Sequence, residues 1–461
     1  LSSVSYQTPF LLAKDFKWKV RLIFKEIHMS NIDKTSDKSI IATDINLASS
    51  SRRDFFRNTA AGAFGAAALM GLVPNGIKTA AYAAGSDAPE ITEVKIGFIP
   101  LTDCAPIIVA AEMGFDKKYG IKITPSKEAS WAGVRDKVVN GELHAAHVLY
   151  GLMYGVQMGI GGKQKDMAVL MALNHNGQGI TLSNQLKEKG VVDGKSLKRV
   201  MQNENRDFTF AQTFPTGTHA MWLNYWLAAN GIDPVKDVKN IVVPPPQMVA
   251  NMRIGNMDGY CVGEPWNARA INDKVGFTVA TSQDIWTDHP EKVLGTTAEF
   301  VAKNPNTARA MMMAVLEASK YIDAAANRAK VAELISGKAY VNAPKDVILG
   351  RFLGEYDNGN GKKWKDPNFM KFYDDGKVPF PYLSDGMWFL TQHKRWGMLK
   401  SDPDYLAIAK KVNQIDLYSQ AASQVGVSVP KDAMRSSKLM DGVVWDGKNP
   451  VAYAAGFKIK A

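Results

Sequence analysis

Cysteine is nearly absent: Cys104 and Cys261 are the only two in 461 residues. A single pair makes no disulfide framework, and neither lies where a lipid-modified cysteine would stand, so both read as free, buried thiols. Long hydrophobic runs are missing as well. Hydrophobic residues at 46%, aromatics at 10% and charged residues at 22% exclude a disordered, collagen-like or multi-span membrane chain. No G-x-S-x-G, H-E-x-x-H, C-x-x-C, Walker loop or strand-linked G-x-G-x-x-G occurs, so no catalytic motif supports an enzyme. A basic arm is also lacking. Residues 1–83 carry 11 Lys+Arg against 6 Asp+Glu, which leaves 45 against 39 over the rest, scattered rather than clustered. That balance argues against nucleic-acid binding and suits a modest attraction for small anions.

What is present begins with an address. Ser51-Arg52-Arg53-Asp54-Phe55-Phe56 precedes an Ala/Gly-rich apolar stretch over 60–73, then Lys78 and Ala81-Tyr82-Ala83. The stretch is too short to span about 30 Å of hydrocarbon, for which roughly 20 apolar residues are needed. A twin arginine, a weakly hydrophobic segment and an A-x-A triplet in that order resemble a Tat-type export signal over 51–83, with maturation near Ala84. Residues 1–28 add nothing such a signal requires, so 1–83 is set aside as leader.

The length of the remainder suits two lobes. Val94-Lys95-Ile96-Gly97-Phe98-Ile99-Pro100 alternates like a strand; an apolar helix over 105–112 and a second strand, Ile121-Lys122-Ile123-Thr124, follow. Strand, helix, strand at this spacing predicts a parallel sheet. Gly141-Glu142-Leu143-His144-Ala145-Ala146-His147-Val148 and Gly255-Asn256-Met257-Asp258-Gly259-Tyr260-Cys261-Val262 share glycine, aliphatic, small residue and valine at equal spacing, which predicts one helix–turn–buried-strand core per lobe. A strand over 207–210 opens the second lobe, followed by a Gly/Thr loop and an amphipathic helix over 220–229. The expected divisions are 84–200 for the first part of lobe I, 201–288 for lobe II, and 289–461 for a return to lobe I with a mostly helical extension.

Among chemically active residues, His144 and His147 at i, i+3 fall on a strand with no further ligand cluster, so no metal site is expected. Thr216, Gly217 and Thr218 place a helix N-terminus, with its unpaired N–H groups, at the carboxyl edge of a sheet; an anion site and a plain helix cap both fit. His219 would sit at the mouth of such a site.

Several ordered motifs carry a resemblance. Trp131 in Ser130-Trp131-Ala132-Gly133, Gln178 in Asn176-Gly177-Gln178-Gly179-Ile180, the Phe214-Pro215-Thr216-Gly217-Thr218-His219 loop, Pro244-Pro245-Pro246-Gln247-Met248 and Cys261-Val262-Gly263-Glu264-Pro265-Trp266 together resemble the nitrate/bicarbonate branch of periplasmic ABC-transporter binding proteins. Within it the chain is similar to nitrate-binding subunits of cyanobacterial-type nitrate/nitrite transporters, from about Pro89 to the C-terminus. The resemblance implies an α/β, two-lobed type II binding-protein fold with a C-terminal, mostly helical extension, closing on one small anion. It implies nitrate contacts from Trp131, Gln178, His219, the Gly263 backbone and Lys292, no cofactor, a cognate ABC permease as partner, and a monomer at the outer face of the cytoplasmic membrane serving nitrate assimilation.

Nitrate is acceptor-only, and indole, amide, backbone N–H and ammonium groups all donate. Bicarbonate carries a hydroxyl that asks for an acceptor; in the resembling bicarbonate binders a carboxylate stands at the position of Lys292, together with calcium. Lys292 therefore favours nitrate. A bicarbonate receptor is the alternative within the family. A cytoplasmic nitrate sensor on the same fold would lack residues 51–83, and a thiamin-precursor synthase of related fold would need a catalytic His or Cys motif.

Overall fold

The computed structural model describes residues 87–461; the leader, its twin-arginine segment and the expected maturation point near Ala84 lie outside the described residues. Ten strands form two five-stranded sheets. In chain order they are β1 (Glu93–Phe98), β2 (Lys122–Lys127), β3 (Ala145–Leu149), β4 (Met167–Ala172), β5 (Gln178–Ser183), β6 (Thr209–Gln212), β7 (Lys239–Val242), β8 (Gly259–Gly263), β9 (Gly276–Thr281) and β10 (Lys292–Thr297). The first sheet runs β2-β1-β3-β10-β4 and the second β7-β6-β8-β5-β9. Each has a parallel half and one antiparallel strand in the fourth place: β10 runs against β3 and β4, and β5 against β8 and β9.

The apolar strands explain this layering. Every residue of β3, β4, β5, β8 and β10 is buried, as expected of strands covered on both faces. The two stretches matched by internal similarity lead into β3 and β8, the middle strand of each sheet. One core per lobe follows from that equivalence.

The chain passes between the sheets twice, over 173–177 and again over 282–291. The first passage lies well before residue 200, where the sequence reading put it. β5, antiparallel in the second sheet and followed by the helices Asn184–Glu188 and Gly194–Asn203, forms a strand–helix unit ahead of β6, so the second sheet begins one unit earlier than expected. The strand expected over 207–210 is β6, two residues later. The return passage runs into β10 at Lys292. The two passages hydrogen-bond to each other: the Asn176 N–H donates to His289 C=O at 3.2 Å, Glu291 N–H to Asn174 C=O at 3.2 Å, and Leu173 N–H to Lys292 C=O at 2.7 Å.

Beyond β10 the chain is mainly helical. The long helix Pro305–Asp323 has proline at its first position and buries Ala308, Met311, Met312, Val315, Leu316, Ser319 and Ile322, the spacing of one helical face. Another helix, Leu383–Arg395, lies over the helix Thr218–Ala229: Trp388 stacks on Trp222 with ring centroids 4.9 Å apart, and His393 Nε2 donates to Thr216 C=O at 3.0 Å. This corrects one expectation. The helix read as amphipathic is buried from Thr218 to Ala228, since the C-terminal extension covers the face that would otherwise meet solvent.

Candidate functional site

The two passages end on residues that the sequence reading expected in the site: Gln178 opens β5 and Lys292 opens β10. Both are fully or almost fully buried. His219 is the second residue of the helix Thr218–Ala229, which starts after Gly217 without a side-chain cap. Trp131 is the first residue of the helix Trp131–Asn140, fixed by Ser130, whose Oγ accepts from Gly133 N–H at 3.1 Å. Gly263 closes β8 opposite Gln178.

These five residues are linked around the Lys292 ammonium. Gln178 Oε1 lies 2.8 Å from His219 Nε2, and Gln178 Nε2 donates to Asp103 Oδ2 at 3.2 Å. A carbonyl oxygen only accepts, so His219 carries its proton on Nε2, and Nδ1 accepts from Thr213 Oγ at 2.6 Å. The Trp131 ring centroid lies 5.9 Å from Lys292 Nζ and 5.6 Å from the His147 ring. A Cβ at Gly263 would stand 2.5 Å from Gln178 Oε1 and 3.4 Å from Asp103 Oδ2, so only glycine lets the backbone come this close. The Glu264 N–H donates to Gly177 C=O at 3.0 Å, which makes Gln178–Gly263 a pair that exchanges no hydrogen bonds and turns the Gly263 N–H away from β5.

Two carboxylates complete the cluster, and the sequence reading missed both. Asp103, in the short turn after β1, accepts from Lys292 Nζ at 2.9 Å and from His147 Nε2 at 2.7 Å. Glu291 accepts from Lys292 Nζ at 2.8 Å, from Trp222 Nε1 at 2.6 Å and from Thr218 Oγ. Asp103 could have been found as the one charge in the stretch from Ile99 to Val109. His147 shares this cluster, while His144 is a strand-edge residue whose Nδ1 accepts from Lys95 N–H. No group of three or more His, Cys, Asp or Glu side chains suited to a metal ion occurs among the described residues.

The electrostatics follow from burial and pairing. Burial alone would raise the Asp103 pKa, but the Lys292 ammonium and His147 outweigh it and hold the carboxyl well below the usual range. Burial would lower Lys292, yet its two carboxylates raise it above the ordinary lysine value. Burial pushes the Glu291 carboxyl up, against the pull of Lys292. Burial and then Lys292 depress His219 well below an ordinary histidine. The centre therefore holds a firm cation, a firm anion, a neutral imidazole donor and a second carboxylate whose burial works against its charge.

Of the buried donors left unpartnered among the described residues, the Trp131 indole N–H is the one that stands beside Lys292, a lysine with two partners of its own. Nearby contacts tie the sheets together: Thr102 N–H donates to Glu264 C=O at 2.8 Å, and the Glu264 carboxylate meets Arg351 Nε at 3.1 Å. Gly151, in the helix Tyr150–Gln157, packs so tightly on the 213–217 loop that a Cβ there would stand 2.4 Å from Thr216 C=O.

Comparison with known proteins agrees with this architecture. The NMT1-like family model matches residues 87–336. The nitrate/nitrite binding protein NrtA of Synechocystis is 42% identical over 392 residues, covering 82% of this chain and 87% of that one. The crystal structure of the periplasmic nitrate-binding protein NrtA from Synechocystis superposes with a TM-score of 0.78 at 41% identity, over 81% of this chain and all of that one. The bicarbonate-binding protein CmpA of Synechococcus elongatus is more distant, 33% identical over 411 residues, 82% of this chain and 89% of that one. With the family model matching 87–336 and nitrate/nitrite binding proteins at about two-fifths identity over four-fifths of its length, the chain belongs to the NMT1-like family, in the branch of the nitrate/nitrite binding proteins.

Proposed function

We propose that the protein is an extracytoplasmic solute-binding protein that captures nitrate, and also nitrite, between its two lobes and delivers it to an ABC permease for nitrate assimilation. The observation that carries this reading is the buried, unspent indole N–H of Trp131 beside Lys292. A buried donor without a partner costs about 1–3 kcal/mol, a cost that an acceptor-only anion removes. Gln178, His219, the Gly263 N–H and Lys292 supply the other donors, and lobe closure excludes water. The protein acts by binding and release, without a chemical step.

The periplasmic relative supports a location outside the cytoplasm. No helix among the described residues is long and apolar enough to cross a membrane. The twin-arginine leader supports Tat export, and the monomer is the simplest state that leaves both lobes free to move. Bicarbonate is the second reading, favoured by one observation: Asp103 and Glu291 are acceptors that could meet its hydroxyl.

Isothermal titration of residues 84–461 with nitrate, nitrite and bicarbonate, with and without calcium, tests the assignment. Nitrate and nitrite are expected to bind and bicarbonate not to. Calcium-dependent bicarbonate binding in place of nitrate binding would move the assignment to the second reading.

A further inference from the structure

Glu291 is more than a neighbour of Lys292. Its Oε1 takes one N–H of the ammonium and the hydroxyl of Thr218, the first residue of the helix Thr218–Ala229, while Oε2 takes the indole N–H of Trp222 one turn further along. A carboxylate at a helix N-terminus, paired with a lysine, occupies the electrostatic position that an anionic ligand seeks. We propose that Glu291 is a specificity-determining residue of the anion site, a built-in competitor for Lys292 and the helix end, so that capture of each nitrate is accompanied by uptake of one proton on the Glu291 carboxyl. The inference rests on the nitrate-binding reading given above.

The charge balance around Glu291 leads to this. Lys292 and His289 face it from its own segment, with His289 Nδ1 3.8 Å from Oε2. Thr218, His219 and Trp222 face it from the helix, His219 Nε2 standing 3.5 Å from Oε1. The buried Cys261 thiol lies close enough on β8 to feel its charge, and Asp103 with His147 stands on the far side of Lys292. Among the described residues, Lys292 is the one ammonium or guanidinium that touches it. With Asp103 and Glu291 both ionised, the ammonium is already outnumbered, and a buried nitrate would add a third negative charge. Adding a proton from solvent to Glu291 offsets the incoming charge and frees a Lys292 N–H for the ligand; the same proton returns to solvent on release.

The groups best able to take the proton instead are His147 and His219. His219 already spends Nδ1 as an acceptor for Thr213, whereas His147 Nδ1 is buried without a hydrogen-bond partner and is the main competitor. Burial raises Glu291 and depresses both histidines, which favours the carboxyl as the carrier.

The test is nitrate titration of the mature protein from pH 5.5 to 9, with proton uptake read from calorimetry in two buffers of different ionisation enthalpy. Above the pH at which free Glu291 ionises, uptake is expected to approach one proton per nitrate, with the dissociation constant rising toward tenfold per pH unit. In Glu291→Gln, uptake is expected to vanish and affinity to become independent of pH, tighter than wild type at pH 9. Binding by wild type without proton uptake overturns the inference, and so does a Glu291→Gln protein that keeps the wild-type slope. If Glu291→Gln does not fold, His147→Gln decides: an unchanged slope upholds Glu291 and a lost slope overturns it. Absence of nitrate binding at every pH would instead remove the reading on which the inference rests.

Discussion

Lys292 on β10 and Asp103 in the turn after β1 meet at 2.9 Å with both side chains fully buried. The pair joins chain segments 189 residues apart in sequence. Removing one partner of a buried ion pair leaves an uncompensated charge and costs about 3–5 kcal/mol. Lys292→Met is expected to lose nitrate binding and that much stability, because Asp103 and Glu291 are left facing each other. Asp103→Asn combined with Lys292→Met should recover much of the stability and none of the binding. Denaturant unfolding and nitrate titration of the three variants give both numbers.

Trp131→Phe separates ligand binding from packing. The ring keeps its place against His147, while the unspent N–H disappears. Nitrate affinity is expected to fall about tenfold, the worth of one good hydrogen bond. The melting temperature without ligand should stay the same or rise, because a buried donor has been removed. A fall in melting temperature with unchanged affinity would exclude the indole as a ligand donor.

Gly151→Ala probes the closed arrangement. Its Cβ would fall 2.4 Å from the Thr216 carbonyl, a backbone atom that cannot rotate aside. Overpacking of this kind costs about 1–3 kcal/mol, here borne only when the lobes meet. Nitrate binding is expected to weaken about 5- to 100-fold, and small-angle scattering in saturating nitrate to show a larger radius of gyration than wild type. An unaltered affinity would mean that Tyr150–Gln157 does not approach the 213–217 loop in the bound state.

Acid should unfold the protein early. All six histidines of the described residues, His144, His147, His175, His219, His289 and His393, have pKa values below the ordinary 6.5 because burial disfavours the imidazolium, with His393 at about 4 and His289 at about 3. The unfolded chain binds these protons first, so the stability they contribute is present above pH 6.5 and lost as pH falls through the folded values. Asp116, Glu264, Glu291 and Asp385, whose pKa values are raised, work in the opposite sense, and the histidines outnumber them. The melting temperature is expected to drop between pH 7.5 and 5; a flat or rising profile would contradict the burial of the imidazoles.

The parts of this architecture that announce themselves in sequence are periodic or repeated. β1, β2 and the helix between them follow from alternation and apolar spacing, and β3 and β8 from the shared glycine–valine pattern. β5 is legible only through its Gln178 motif: Gln178-Gly179-Ile180-Thr181-Leu182-Ser183 carries just two large apolar residues, Ile180 and Leu182, although the helices Asn184–Glu188 and Gly194–Asn203 follow it. Its one local signal is Asn176-Gly177, where both residues take positive φ, 61° and 88°, and so mark a turn. Asp103 and Glu291 were hidden for another reason. A carboxylate that neutralises a lysine from a distant segment leaves no spacing rule behind, and only the chain's crossings bring such residues together.

The paired crossings also divide the site into a pole and a rim. Gln178 and Lys292 are the first strand residues after the two crossings, so a rotation about those segments would barely displace them. Trp131 and His219 stand further along the chain from that axis, on helices of opposite lobes, and travel with them. A parting of the two sheets about these passages would therefore carry the indole and the imidazole away from each other before it disturbed the amide and the ammonium, so the widest swing falls at the two helix ends and the least at the crossings.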